Sequence, residues 1–125
     1  MKNINLFDNY FLNCNNCFDF VKKFYKKKFN FDFKIDYVNV EKYKSIVHVI
    51  QNEKENVECW KKINVPEDNC IVLLSKNNKM HHVGIWLDNG CYHFINKIGL
   101  LYNDINRLKM NGYKKMEFYR CQKIY

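Results

Sequence analysis

The sequence predicts an α+β domain in which an N-terminal helix headed by Cys17 packs on an antiparallel β-sheet. Three features lead there. Cys17, Phe20, Val21, Phe24 and Lys28 fall on one helical stripe. Asn89-Gly90 separates two apolar and aromatic runs, a strong local signal for a tight hairpin. Two further runs, 70–74 and 116–125, have the apolar or alternating texture of strands.

Taken in order, residues 3–15 form a loose opening with aromatic anchors at Phe7, Tyr10 and Phe11. Asn16 is a good helix N-cap, and Asp19 places a negative charge in the first turn, where the helix dipole favours it. Lys22, Lys23, Lys26 and Lys27 lie away from the apolar stripe, so a helix is expected from Cys17 to about Lys28. Residues 29–40 alternate in part and read as an extended arm or short strand. Residues 41–56 read as a second helix with Tyr43, Ile46, Val47 and Ile50 inward. Trp60 and Ile63 lead into a turn at 66–69, a buried strand follows at 70–74, and 75–79 is a polar loop. Residues 100–110 are compatible with a short helix ended near Asn111-Gly112, and 116–125 closes the sheet.

With Asn89 and Gly90 as the two turn residues, Trp86 lies opposite His93. His82, Gly84, Trp86, Cys91 and His93 then share one face, with Val83, Ile85, Leu87, Tyr92 and Phe94 on the other. In that register His82 and His93 are four residues apart along the sheet, about 13 Å at ~3.3 Å per residue. Direct contact between them would need a bulge or strong coiling.

The 125 residues suit a single domain, and 47% hydrophobic with 17% aromatic residues is the composition of a folded chain. No apolar run approaches a membrane span, and the opening residues are polar with no apolar signal core, so neither membrane insertion nor a secretory leader is expected. The net charge of +8 suits an anionic partner, but the lysines are spread along a chain saturated with Lys, Asn, Ile and Tyr. No specific nucleic-acid interface is expected from them. Six cysteines allow fifteen disulfide pairings, yet without an export signal free thiols are the better expectation. Cys59, Cys70 and Cys121 sit in apolar or strand-like surroundings and read as small core residues.

The chemistry centres on Cys17. Backbone N–H groups without intrahelical partners point at the first position of a helix, which is expected to depress a thiol pKa and favour the nucleophilic thiolate. An imidazole that takes the thiol proton, held by a third group, would complete a nucleophile–base pair. His82 is the expected base and His93 the expected orienter.

These residues carry a resemblance. Residues 16–25, Asn-Cys-Phe-Asp-Phe-Val-Lys-Lys-Phe-Tyr, are similar to the "Asp-Cys-aromatic-x-Leu-Val-x-x-x-Tyr" signature of the NlpC-type cell-wall peptidases, a papain-like cysteine peptidase family. His82-Val83-Gly84-Ile85-Trp86-Leu87 resembles that family's "His-Val-Gly-Ile-Tyr-Leu", and 66–74 sits where the family carries "Pro-Gly-Asp" and a core strand. The small size and the ending, Gly99-Leu100 through Phe118-Tyr119-Arg120, look most like the phage-tail branch. Asn16 stands where the family usually has Asp, and Asp68-Asn69 replaces Gly-Asp. The hairpin is one residue shorter, so the alignment gap is placed in the turn. This puts His93 at the third catalytic position, with Asn96 the alternative on the other face of a regular hairpin.

The resemblance implies a papain-like minimal core and a Cys17–His82–His93 triad that hydrolyses peptide-stem amides of peptidoglycan next to D-glutamate. It also implies an oxyanion contribution from the Cys17 backbone N–H, with Tyr10 as a further candidate, and no cofactor or metal. The expected setting is a virion tail acting on a host wall, among other tail or particle proteins.

Three other readings compete. Cys14-Asn15-Asn16-Cys17 is a CxxC that, with His81-His82 and Cys70 or Cys91, could hold zinc, although no second knuckle is present. A non-catalytic tail protein could keep the fold as an interaction surface, though a pure scaffold has no need of Cys17, His82 and His93 together. A nucleic-acid binder would show salt-dependent association.

Overall fold

The computed structural model describes residues 5–32, 60–76 and 80–121. The second helix expected at 41–56 and most of the arm at 29–40 lie outside them, as does Cys59. The described chain runs α1 (Asn9–Leu12), α2 (Cys17–Phe29), β1 (Trp60–Ile63), β2 (Ile71–Lys76), β3 (Met80–Leu87), β4 (Gly90–Ile95), β5 (Gly99–Asn103), α3 (Ile105–Met110) and β6 (Lys115–Cys121). The six strands form one antiparallel sheet in the order β1-β6-β2-β3-β4-β5. The architecture is α+β.

Helix α2 forms where its sequence signals place it. The Asn16 side chain accepts a hydrogen bond from the Asp19 N–H, a cap whose removal costs about 1 kcal/mol. The helix ends on Asn30 in the left-handed region at φ 53°, with Lys26, Lys27 and Lys28 in its last turn. Phe20, Val21, Phe24 and Tyr25 are fully buried against one face of the sheet, among Ile71, Leu73, Val83, Ile85 and Phe94. Truncating any one of the large side chains to alanine would cost ~3–5 kcal/mol.

The far end of α2 is pinned to the turn between β1 and β2. The Tyr25 hydroxyl donates to the Asn69 carbonyl, and Lys28 Nζ donates to Asn69 Oδ1 at 2.7 Å. Arg120 on β6 grips Glu67 of the same connection through both Nε and Nη2. These contacts fix where the other end of the helix, and so Cys17, meets the sheet.

The opposite face of the sheet carries Cys70, Val72, Leu74, Trp86, Cys91 and Phe118, covered by Leu108 of α3 and by Tyr113. Alternation along β2 assigns Ile71 and Leu73 to the α2 face and Val72 and Leu74 to this one.

Three expectations change. Residues 100–103 are strand β5, not helix; only Ile105–Met110 is helical, capped by Asp104, whose side chain accepts from the Arg107 N–H. The hairpin turn is Asp88-Asn89, at φ 57° and 62°, so Leu87 pairs with Gly90, Trp86 with Cys91, and Gly84 with His93. Asp and Asn tolerate the left-handed positions of such a turn. Gly90 serves close packing, since a Cβ there would lie 2.5 Å from the Tyr102 ring. Moving the turn by one residue moves the register by two, which leaves every side chain on its expected face. Ser75 and Lys76 belong to β2 and not to the loop after it.

Candidate active site

Cys17 heads α2 on the α2 side of the sheet, and His82 lies near the start of β3. The β3–β4 ladder stops at Gly84–His93. The next residue of β3, Val83, turns its backbone N–H toward the Cys17 sulfur, as do the N–H groups of Phe18 and Cys17 itself. Cys17 and His82 line one cavity of about 390 Å³, together with Lys76, Phe94, Ile95, Asn96, Ile98 and Tyr113.

His93 Nδ1 lies 2.9 Å from His82 Nε2, and His93 Nε2 lies 2.7 Å from Asn103 Oδ1. Because His93 pairs with Gly84 and not Trp86, it is the diagonal neighbour of His82, and no bulge is required. Gly84 makes room for this. A Cβ there would lie 2.6 Å from Cys91 Sγ, 2.7 Å from the Tyr92 carbonyl and 3.1 Å from His93 Cβ. Asn103 pairs with Cys91, so the chain of contacts crosses β3, β4 and β5 diagonally on one face.

The acceptors set the tautomers. Asn103 Oδ1 accepts, so His93 carries its proton on Nε2 and presents a bare Nδ1. His82 Nε2–H must then donate to it, which leaves His82 Nδ1 as the lone pair available to a base. His93 is fully buried, and the His82 ring lies parallel to Tyr113 at a centroid separation of 6.0 Å and 13°.

Electrostatics reverse one expectation. Burial pushes the Cys17 thiol up to about 11, against the pull of the three N–H groups, instead of down. At 3% exposure the sulfur loses more by giving up water than it gains from the helix terminus. Burial, then His93, then the Lys76 ammonium push His82 down to about 3. His93 is also lowered, by burial first, with its bond to Asn103 opposing. The resting pair is therefore a neutral thiol and a neutral imidazole, with proton transfer left to the moment of attack.

The remaining expected residues fall as follows. Tyr10 lies on α1, 40% exposed, with Lys23 and Lys27 ammonium groups 5.4 and 5.6 Å from its ring centroid. It is not among the side chains that line the cavity. Asn96 does line it, from the exposed connection between β4 and β5, while the hydrogen bond to His82 belongs to His93. Among the described residues the zinc arrangement is not assembled. Cys14 Sγ donates to the Phe11 carbonyl at 2.9 Å, and Cys70 and Cys91 pack on the face opposite α2. Among the described residues no three His, Cys, Asp or Glu side chains converge as metal donors. The five described cysteines are free thiols. No helix among the described residues is long and apolar enough to cross a membrane.

Sequence reasoning missed Asn103, Tyr113 and Lys76. Asn103 sat in a stretch read as helix, where strand parity says nothing. A strand reading of 99–103 would have put it on the His93 face. No family model matches the chain, and no curated protein matches it.

Proposed function

We propose that the protein is a cysteine endopeptidase with a papain-like core, hydrolysing peptide-stem amides of bacterial peptidoglycan as a component of a phage tail. The observation that carries this reading is the cavity shared by Cys17 and His82, with His82 tied through His93 to Asn103. The sequence resemblance to the NlpC-type peptidases supplies the substrate class and the setting.

In this mechanism Cys17 Sγ attacks the amide carbonyl carbon while its proton passes to His82 Nδ1. Charge builds on the carbonyl oxygen, which the Cys17 backbone N–H at the start of α2 would meet in this reading. The His82 imidazolium, held by His93, then protonates the leaving amine, and a thioester remains on Cys17. Water attacks the thioester as His82 Nδ1 takes its proton, and the thiol is restored with release of the acid. Both groups rest neutral, so the imidazole is free to accept the thiol proton, and the bound substrate has to narrow the gap between the two pKa values for that transfer to occur.

One observation favours a second reading, a catalytically silent tail protein with the same fold: both reacting groups rest neutral and buried. Digestion of purified peptidoglycan by the wild type and by Cys17→Ala, with fragments read by mass, separates the two. The peptidase reading expects stem fragments from the wild type alone. Identical products from both proteins, or none from either, would end it.

A further inference from the structure

We propose that Lys76, at the end of β2, anchors a carboxylate of the bound peptide in the Cys17–His82 cavity. This rests on the peptidase reading for the identity of the ligand, but not for the site itself. Among the described residues Lys76 is the one formally charged side chain in the cavity wall, which otherwise offers the apolar surfaces of Phe94 and Ile98, the Tyr113 ring and the polar Asn96. Its ammonium lies 4.6 Å from the Tyr113 ring centroid, while the same ring runs parallel to His82. Its methylene stem passes Gly112, where an added Cβ would touch Cδ and Cε at 3.8 Å. The lysine, exposed at the end of its strand, is thus laid along a Gly112–Tyr113 shelf beside the reacting groups. Among the described residues no carboxylate lies within ion-pair distance of it.

The ligand class follows from the resemblance to the NlpC-type peptidases, which implies cleavage next to D-glutamate, and the cavity is compatible with it. A cation in a largely apolar wall favours a peptide with short aliphatic groups and one carboxylate near the scissile amide. A glutamyl residue linked through its side-chain carboxyl has that form, because its α-carboxylate stays free. Such a carboxylate would also offset the field by which Lys76 disfavours a proton on His82, the group that takes the thiol proton in the attack.

The test uses calorimetric binding to full-length Cys17→Ala protein, which removes turnover. The probes are L-Ala-γ-D-Glu-L-Lys and the same tripeptide with the glutamate α-carboxylate replaced by a carboxamide. The expected result is at least ~10-fold tighter binding of the carboxylate form. Lys76→Met should bring the two peptides within ~2-fold of each other, and Lys76→Arg should keep the preference. Equal affinities in the Lys76-bearing protein, a preference that survives Lys76→Met, or no binding of either peptide would overturn the anchor. Cleavage of peptidoglycan by the wild type is read separately. A carboxylate preference without cleavage keeps the anchor and ends the peptidase reading; cleavage without a preference does the reverse.

Discussion

Cys17 and Cys91 are both nearly dry thiols, and burial raises the pKa of each, yet they sit on opposite faces of one sheet with different surroundings. Cys91 is fully enclosed, packed over Gly84 and beside Cys70. Cys17 borders a cavity, has three backbone N–H groups facing its sulfur, and shares that cavity with a hydrogen-bonded imidazole. A raised thiol pKa therefore does not separate Cys91 from the cysteine proposed as the nucleophile. Access and a partner able to take the proton do.

The largest effect expected from that contrast is on cleavage. Cys17→Ala should lower peptidoglycan cleavage by at least ~10³-fold. Cys91→Ala should leave the rate within ~2-fold while costing about 1–2 kcal/mol of stability, measured by urea unfolding. A Cys91 variant that loses activity without losing stability would collapse the distinction between the two thiols.

Gly84→Ala attacks the comparison from the middle, since its new methyl would press on Cys91 Sγ from one side and on His93 Cβ from the other. Overpacking of this kind costs ~1–3 kcal/mol. Displacement of His93 should reduce cleavage by at least ~10-fold through misplacement of His82. Chemical denaturation and the cleavage assay read the two effects separately. A variant equally stable and equally active would mean that the hairpin register is not the one that joins the two imidazoles.

That register is also where the sequence was least legible. The helix stripe, the Asn16 cap and the alternation of the hairpin faces depend on local period and local hydrogen bonds, and they were readable residue by residue. The turn was not, because Asp88, Asn89 and Gly90 can all supply left-handed backbone. What decides among them is the Tyr102 ring from β5 lying over Gly90, a contact distant in sequence. The same strand hides Asn103. Its hydrogen bond to His93 exists only once β5 pairs with β4, and Leu100, Leu101 and Tyr102 suit a helix as well as a strand when read alone. The thiol expectation failed for a related reason: burial is a tertiary property, and it outweighs the helix terminus that the sequence does reveal.

The pH dependence of stability sharpens the electrostatic side. His82 has its ordinary value of 6.5 when unfolded and about 3 when folded. Between those values the unfolded chain binds a proton that the folded chain refuses, so stability falls as pH drops below 6.5. Cys17 moves from 9.0 to about 11, so above pH 9 the unfolded chain loses its proton first and stability falls again. Cys14 and Cys70 add to that alkaline limb, whereas Glu67, held low by Arg120, adds to the acid limb only below its ordinary value of 4.5. Thermal melts between pH 6.5 and 5 therefore isolate the histidines. His82→Gln should remove about half or more of the decline seen there in the wild type. Alkylation of Cys17 by iodoacetamide should likewise be slow in mild acid and climb toward pH 11. Fast, selective labelling at pH 6 would mean a thiolate that burial does not suppress.

The smallest effect concerns Tyr10, the oxyanion candidate that the family resemblance implies. Its ring is the platform for Lys23 and Lys27 on the outer side of α2, edge-on to Phe11, and it does not line the cavity. A hydroxyl serving the tetrahedral intermediate has to be fixed near the start of α2, where the Cys17 N–H is. Tyr10 instead has an aromatic face engaged by two cations and is 40% open to water. Tyr10→Phe keeps the ring, the cation contacts and the packing on Phe11 while deleting only the hydroxyl. Its cleavage rate should stay within ~2-fold of the wild type, because removal of a genuine oxyanion donor costs ~10²–10³-fold in kcat. A loss on that scale, with unchanged thermal stability, would show that α1 moves onto the cavity when substrate binds, and the oxyanion would then have two donors from two elements instead of resting on the start of α2.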